Sequence, residues 1–212
     1  MEGTHWVPAE VDVSIRPGWF YHETQDSLVK NPQQLLDIYY SSVGRNSNLL
    51  LNVPPDRRGL INEKDIETLM KFKELIDAEF ESELARGKNV KVSDIWSSRY
   101  NGMMITDGNP DTFWTPSENI FTGTIEIDLV DKTELNRLLI QEYIELGQHI
   151  MEFSIEAMIE GSWCEISSGT TIGNKVIKKF PLILSDRIRV NIIESKARPS
   201  ISNIEIYKAP GD

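Results

Sequence analysis

The chain is poor in the residues that build metal centres and covalent staples. It has one cysteine, Cys164, which excludes an internal disulfide. That residue's place in the loop-like Gly161-Ser162-Trp163-Cys164 reads as a structural thiol rather than a nucleophile. Histidine occurs three times, at His5, His22 and His149, too scattered for a zinc site. No run of about 18 apolar residues exists, so no membrane-spanning helix is expected. Cations are short as well: 22 Lys+Arg against 33 Asp+Glu give a net charge of -11. Phosphate backbones need clustered Lys and Arg, so no nucleic-acid partner is expected; the lack of a long apolar run likewise leaves no membrane expected as a partner. The opening Met1-Glu2-Gly3-Thr4-His5-Trp6 lacks the basic start and apolar core of a secretory leader. What remains, 40% hydrophobic and 26% charged residues over 212 positions, is the composition of an ordinary globular protein with one large domain or two small ones.

The pattern along the chain changes once, near Gly87, which predicts two domains, residues 1–86 and 87–212. Before Gly87 strands alternate with helices. Asn31 can cap a helix and Pro32 suits its first turn; Leu35, Leu36, Tyr39, Tyr40 and Val43 make one apolar stripe, and Gly44 ends it. Arg57-Arg58-Gly59 is a turn. Asn62 and Asp65 then open a second helix whose Ile66, Leu69, Met70, Ile76 and Phe80 share a face, running to about Leu84. Leu49-Leu50-Leu51 is a continuous apolar run, the mark of a parallel strand buried on both faces. The order strand, helix, strand, helix predicts the last two units of a (β/α)8 barrel, with Trp19 to His22 and Asn52 to Asp56 at the C-terminal strand ends where such barrels place their sites. Beyond Gly87 the alternation has period two, as in Ile125, Ile127 and Leu129, in Phe153, Ile155 and Ala157, and in Ile188, Val190 and Ile192. With Leu135 to Tyr143, Lys175 to Phe180 and Ser202 to Tyr207 this predicts six or more strands in an antiparallel β-sandwich.

Three motifs in the first segment carry a family resemblance: Trp6-Val7-Pro8-Ala9-Glu10-Val11-Asp12-Val13-Ser14-Ile15-Arg16-Pro17-Gly18-Trp19-Phe20-Tyr21-His22, then Ser42-Val43-Gly44-Arg45-Asn46, then Leu49-Leu50-Leu51-Asn52-Val53-Pro54-Pro55-Asp56. Together they resemble the C-terminal part of the α-L-fucosidases of glycoside hydrolase family 29, over roughly residues 3 to 84. The resemblance implies part of a retaining exo-α-L-fucosidase acting on fucosylated oligosaccharides or glycoconjugates, with no catalytic cofactor. Such enzymes use an Asp nucleophile and a Glu acid/base about 5 Å apart. Nothing here matches the nucleophile motif, so both are expected upstream of Met1 and the chain alone is expected to be inactive. The parent enzyme is expected to be secreted or periplasmic.

The same resemblance makes Trp19 the foremost substrate contact, its indole flat enough to meet the C6 methyl and apolar face of fucose; barrel core is the alternative. His22 and Tyr21 follow, and Arg16 would support upstream acids. Glu10 and Asp12, two apart on one strand, face one side. They would approach a substrate from one direction, whereas displacement needs opposite faces, so Glu10 is a weak catalytic candidate, better read as holding a substrate hydroxyl or a neighbouring Arg, and Asp12 is read as structural. A quarter barrel would leave an open strand edge, through which self-association is conceivable.

The second domain is similar to the galactose-binding-like jelly rolls of the discoidin, or coagulation factor type C, superfamily. Its carriers are Thr106-Asp107-Gly108-Asn109-Pro110-Asp111-Thr112-Phe113-Trp114, the Gly161-Ser162-Trp163 turn, Gly169-Thr170-Thr171-Ile172-Gly173 and the closing Ile204-Glu205-Ile206-Tyr207. The resemblance implies a structural calcium held by side chains of Asp107, Asn109 and Glu205, by Thr112 and by the carbonyls of Met104 and Ile204. Calcium takes six to eight hard oxygens, which such a loop supplies. Asp-Gly-Asn-Pro is equally a plain turn. Trp96, Trp114 and Trp163 are candidates for a sugar platform, with Trp114 better read as core. The alternative function is therefore a carbohydrate-binding or purely structural sandwich with no hydrolytic activity.

Overall fold

In the computed structural model the described residues are 5–211; Met1-Glu2-Gly3-Thr4, the start of the stretch read above as lacking a leader, lies outside them. The chain divides into two compact units, Pro8–Phe80 and the residues from Glu81 onward with the few described residues before Pro8.

The first unit has the order β1 (Ala9–Ser14), α1 (Pro32–Ser42), β2 (Ser47–Asn52) and α2 (Glu63–Glu79), with a short 3-10 turn at Glu23–Leu28. The strands pair in parallel, Ala9 against Ser47 through Ser14 against Asn52. Asn31 caps α1 by accepting from the Gln34 N–H while the Gln34 side chain accepts from the Asn31 N–H, with Pro32 in the first turn. At the other end Gly44 packs so closely that a Cβ would lie 2.5 Å from the Tyr40 carbonyl oxygen, which restricts this position to glycine.

Three sequence expectations change in this unit. Leu50 is 50% exposed and shares an open sheet face with Glu10, Asp12 and Asn48, whereas Leu49 and Leu51 lie on the more covered side. An apolar run cannot reveal that one of its faces lies open. The helix α2 ends at Glu79, not Leu84, because the next residues belong to the second unit's sheet. There Leu84 N–H donates to the Ile206 carbonyl, and the Glu83 carboxylate accepts from the Ala85 and Ile206 N–H groups. Ile66 and Met70, placed with Leu69 and Ile76 on one stripe, are 46% and 56% exposed.

The second unit is a six-stranded antiparallel sheet, β3 (Asn89–Val92), β4 (Gly123–Glu142), β7 (Val176–Ser195), β5 (Ile150–Ile159) and β6 (Ser162–Gly169) in spatial order, with β8 (Ile201–Tyr207) on β4. Pairs of strands expected as separate are continuous: 124–129 with 135–143 in β4, and 175–180 with 187–192 in β7. Each spans 20 residues, with a register shift between Asp128 and Thr133 where β4 bends. At that bend Val130 takes φ 76° and its N–H is held by the Asp128 carboxylate at 2.8 Å. Alternation places Ile125, Ile127, Phe153, Ile155, Ile188 and Val190 in one buried core with Trp114.

Candidate functional site

The first site is built where β1 and β2 end. Beyond Ser14 the chain turns sharply: the Ser14 hydroxyl donates to the Gly18 carbonyl at 2.8 Å, and the Asn52 side chain donates to Ser14 Oγ at 3.0 Å and to the Trp19 carbonyl at 3.1 Å. One polar residue at the end of each strand thus fixes the turn that presents Trp19, Phe20 and Tyr21. These three, with Asn52, the Pro54-Pro55 pair and the Asp56-Arg57 turn, line a cavity of about 370 Å³. Trp19 is 51% exposed and Phe20 78%, so Trp19 is not buried as core. Asp56 anchors the far wall. It accepts from the Arg58 N–H at 2.8 Å and pairs with that guanidinium at 2.6 Å, which holds its carboxyl below the usual range.

The other predicted residues stand elsewhere. Arg16 is buried and aimed away from the cavity: its Nε donates to Asp65 on α2 at 2.9 Å and a terminal nitrogen to Asp26 at 2.8 Å. Its carboxylate partners lie within this chain, not upstream. Burial opposes the charge, yet the bonds to Asp65 and Asp26 hold the guanidinium pKa above its ordinary value. Arg16 lies 4.7 Å from the centre of the Tyr21 ring, which it supports from behind. Burial raises the Tyr21 hydroxyl, with Asp26 and Glu23 adding to it. The His22 side chain is exposed and its carbonyl starts the 3-10 turn by accepting from Gln25 N–H. Glu10 lies four residues before the end of β1, about 13 Å along the strand, and is not among the cavity-lining residues.

The second site is the 107–112 loop. Asp107 accepts from the Asn109 N–H at 2.8 Å through one oxygen and from the Thr112 hydroxyl at 2.7 Å through the other; that hydroxyl lies 2.9 Å from the Asn109 carbonyl. Asp107, Thr112 and a backbone carbonyl therefore bring hard oxygens together, a donor set that suits calcium. The Asn109 side chain does not join them, because it accepts from the Asp111 N–H at 3.1 Å. Glu205 accepts from Asn203 at 2.9 Å and Tyr207 at 2.6 Å. Arg86 crosses the loop, donating to the Asp107 carbonyl at 3.3 Å. The Met104 carbonyl and the Ile204 main chain, which pairs with Ile140, are the remaining expected donors. Among the described residues no three of His, Cys, Asp or Glu are grouped to hold a metal.

Comparison with known proteins agrees with both halves. The F5/8 type C domain family model matches residues 89–206, more than half of the chain. The chain belongs to the F5/8 type C family. Its first segment, residues 3–79, matches the α-L-fucosidase family model. Over 212 residues the chain is 42% identical to α-L-fucosidase 1 of Arabidopsis thaliana, covering 97% of this chain and 41% of that protein. A Ruminococcus gnavus GH29 fucosidase solved in complex with fucose superposes with a TM-score of 0.91 at 31% identity, covering 98% of this chain and 42% of that one. A chitosan-binding module from Paenibacillus sp. IK-5 shares the fold alone, with a TM-score of 0.55 at 19% identity, over 60% of this chain and 99% of that one. The chain spans about two fifths of the length of the curated relatives it matches.

Within the F5/8 type C domain, Trp114 is fully buried and its indole N–H donates to the Asp94 carbonyl at 2.9 Å, which settles it as core. Trp163 is covered by Arg189 at 4.2 Å and Arg187 at 5.7 Å. Trp96 is 44% exposed and begins a file of rings, Trp96 to Tyr100 at 5.0 Å, Tyr100 to Phe113 at 4.9 Å and Phe113 to Tyr143 at 4.4 Å, with Arg198 over Trp96 at 4.3 Å. The three tryptophans thus have separate surroundings. Sequence reasoning missed Asn52 as the positioning residue; a polar side chain closing an apolar strand was its only signal. Phe20 and Asp56 fall within the two stretches expected at the site-bearing strand ends, whereas Arg57 in the α-L-fucosidase segment lies just beyond them and was missed.

Proposed function

We propose that this chain is the C-terminal part of a retaining exo-α-L-fucosidase, contributing the last two units of a (β/α)8 barrel and the F5/8 type C domain appended to it. The observation that carries the reading is the cavity at the C-terminal ends of two adjacent parallel strands, presenting a half-exposed Trp19 held by Asn52. The fucose bound to the R. gnavus relative supports a fucosyl ligand. In this reading Trp19 covers the apolar face of fucose, Asn52 fixes the turn, and Tyr21 braces the cavity on Arg16. The nucleophile and the acid/base come from the part of the relatives that this chain does not span. The open face of Glu10, Asp12, Asn48 and Leu50 points to the barrel interior, and the outer edges of β1 and β2 meet neighbouring strands. In a lone chain those edges would serve self-association.

Asp107, Thr112 and the Asn109 carbonyl would hold a structural calcium with Glu205, binding the 107–112 loop to the sandwich and taking no part in the chemistry. A second reading, sugar binding by the F5/8 type C domain, is favoured by the exposed Trp96 at the head of its ring file. The test is release of a chromogenic aryl from its α-L-fucoside by this chain and by the polypeptide extended upstream. The expected result is activity in the extended polypeptide alone, with KM raised about tenfold by Trp19→Ala, the scale of one lost stacking contact. Full turnover by the 212-residue chain would refute the division of labour.

A further inference from the structure

We propose that the same cavity carries a subsite for the released sugar, in which Phe20 is the platform and Arg57 reads an anionic substituent, a carboxylate or a sulfate, on that sugar. The inference rests on the fucosidase reading and adds a substrate class to it. Phe20, at 78%, is the most exposed of the large hydrophobic side chains in the described residues. Its neighbour Trp19 belongs to the same cavity, so two aromatic surfaces stand next to each other, one per ring of a disaccharide. Pro54 and Pro55 line the same cavity and fix their own backbone φ there.

Arg57 and Arg58 are adjacent in sequence and differ in every contact. The Arg58 guanidinium is taken by Asp56 at 2.6 Å and by both oxygens of Glu63 at 2.8 and 3.0 Å. Arg57 lines the cavity and makes no ion pair with Asp or Glu among the described residues. In a chain of net charge -11, a guanidinium left uncommitted beside an exposed ring is a local cationic spot. Its planar fork matches the paired oxygens of a carboxylate or a sulfate. A neutral pyranose would use the Phe20 face and leave Arg57 idle, so Arg57 adds preference on top of stacking.

Every residue in this argument belongs to the chain, so binding can be measured on it directly. Saturation-transfer NMR titrations would compare galactose, galacturonate and galactose 6-sulfate, which share one ring and differ in charge. We expect both anions to bind about fivefold to tenfold more tightly than galactose, as one partly exposed charge-assisted hydrogen bond allows. The two anionic arms distinguish a carboxylate reader from a sulfate reader. Arg57→Ala should erase the preference, Arg57→Lys should keep part of it, and Phe20→Ala should weaken all three sugars alike. Equal affinity for the three sugars, no binding of any, or an unchanged preference in Arg57→Ala would each overturn the proposal. Fucose titrated in parallel into the polypeptide extended upstream tests the underlying reading by itself. Its failure to bind while the anion preference persists counts against the fucosidase assignment, and its binding without that preference counts against this subsite.

Discussion

Removing the Arg16 side chain should strongly destabilise the first unit while sparing the second. Arg16 and Asp65 both have side chains at 0% exposure and meet at 2.9 Å, and Asp26, at 33%, completes the group. The pair already runs a deficit, since one terminal nitrogen of Arg16 and one oxygen of Asp65 have no hydrogen-bond partner. Arg16→Ala would strand the Asp65 charge in the interior, a loss of about 3–5 kcal/mol. A segment of this length holds about 4–11 kcal/mol in total, so about half of its stability would go at the middle of both ranges. Replacing both partners by apolar residues of similar volume, Arg16→Met with Asp65→Leu, should return to within about 1–2 kcal/mol of the parent, because the desolvation of two charges is no longer incurred. Hydrogen exchange read by mass spectrometry separates the units: amides of α2 should lose protection in the single variant and regain it in the double, while β4 and β7 act as an internal control. Protection of α2 within about 1 kcal/mol of the parent in Arg16→Ala would refute the reasoning, as would equal loss in the double variant.

Val130→Gly should stabilise the sandwich by about 1 kcal/mol in urea melts, since a β-branched residue at φ 76° costs more than the entropy glycine adds; a loss would show that its side chain packs. Glu142 is 3% exposed and accepts from the N–H groups of His149, Ile150 and Gly173. Glu142→Gln should cost about 1–3 kcal/mol, because an amide group must then face one of those donors. Burial pushes the Glu142 carboxyl up in spite of these donors. The folded chain therefore holds that proton more tightly than the unfolded one, and the associated stability is present in acid and falls as pH rises through the glutamate range to the raised value. Urea midpoints from about pH 4 to about pH 7 should show this slope reduced in Glu142→Gln. Chelation with EGTA should lower the thermal midpoint of the F5/8 type C domain, and Asp107→Ala should abolish that response; an unchanged midpoint would argue that Arg86 and the turn's own hydrogen bonds suffice to hold the loop.

Much of this architecture was legible. The Asn31–Pro32 start and Gly44 stop bracket α1 as written. Trp114 went to the core because it follows the expected metal loop. Other features were not. Period-two alternation survives a bend, so the two halves of β4 read as separate strands. Leu50 read as buried because three leucines in a row carry no information about which face is covered. Arg16 read as a site residue because its neighbours in sequence are; only the fold brings Asp65, 49 residues away, to its guanidinium. Asn52 at the end of β2 and Arg57 in the turn beyond it stand out only through contacts made, or left unmade, in three dimensions.

The shared length of β4 and β7 has an engineering consequence. Because both strands run unbroken through most of the sheet's pairing, new chain ends opened inside either would sever several ladders together. Ends opened at the Glu160-Gly161 hairpin tip, where both residues take positive φ and neither belongs to a strand, would cut none. A circularly permuted domain beginning there should assemble, whereas one beginning at Leu138, which pairs with Lys178 on β7 and Ile206 on β8, should not.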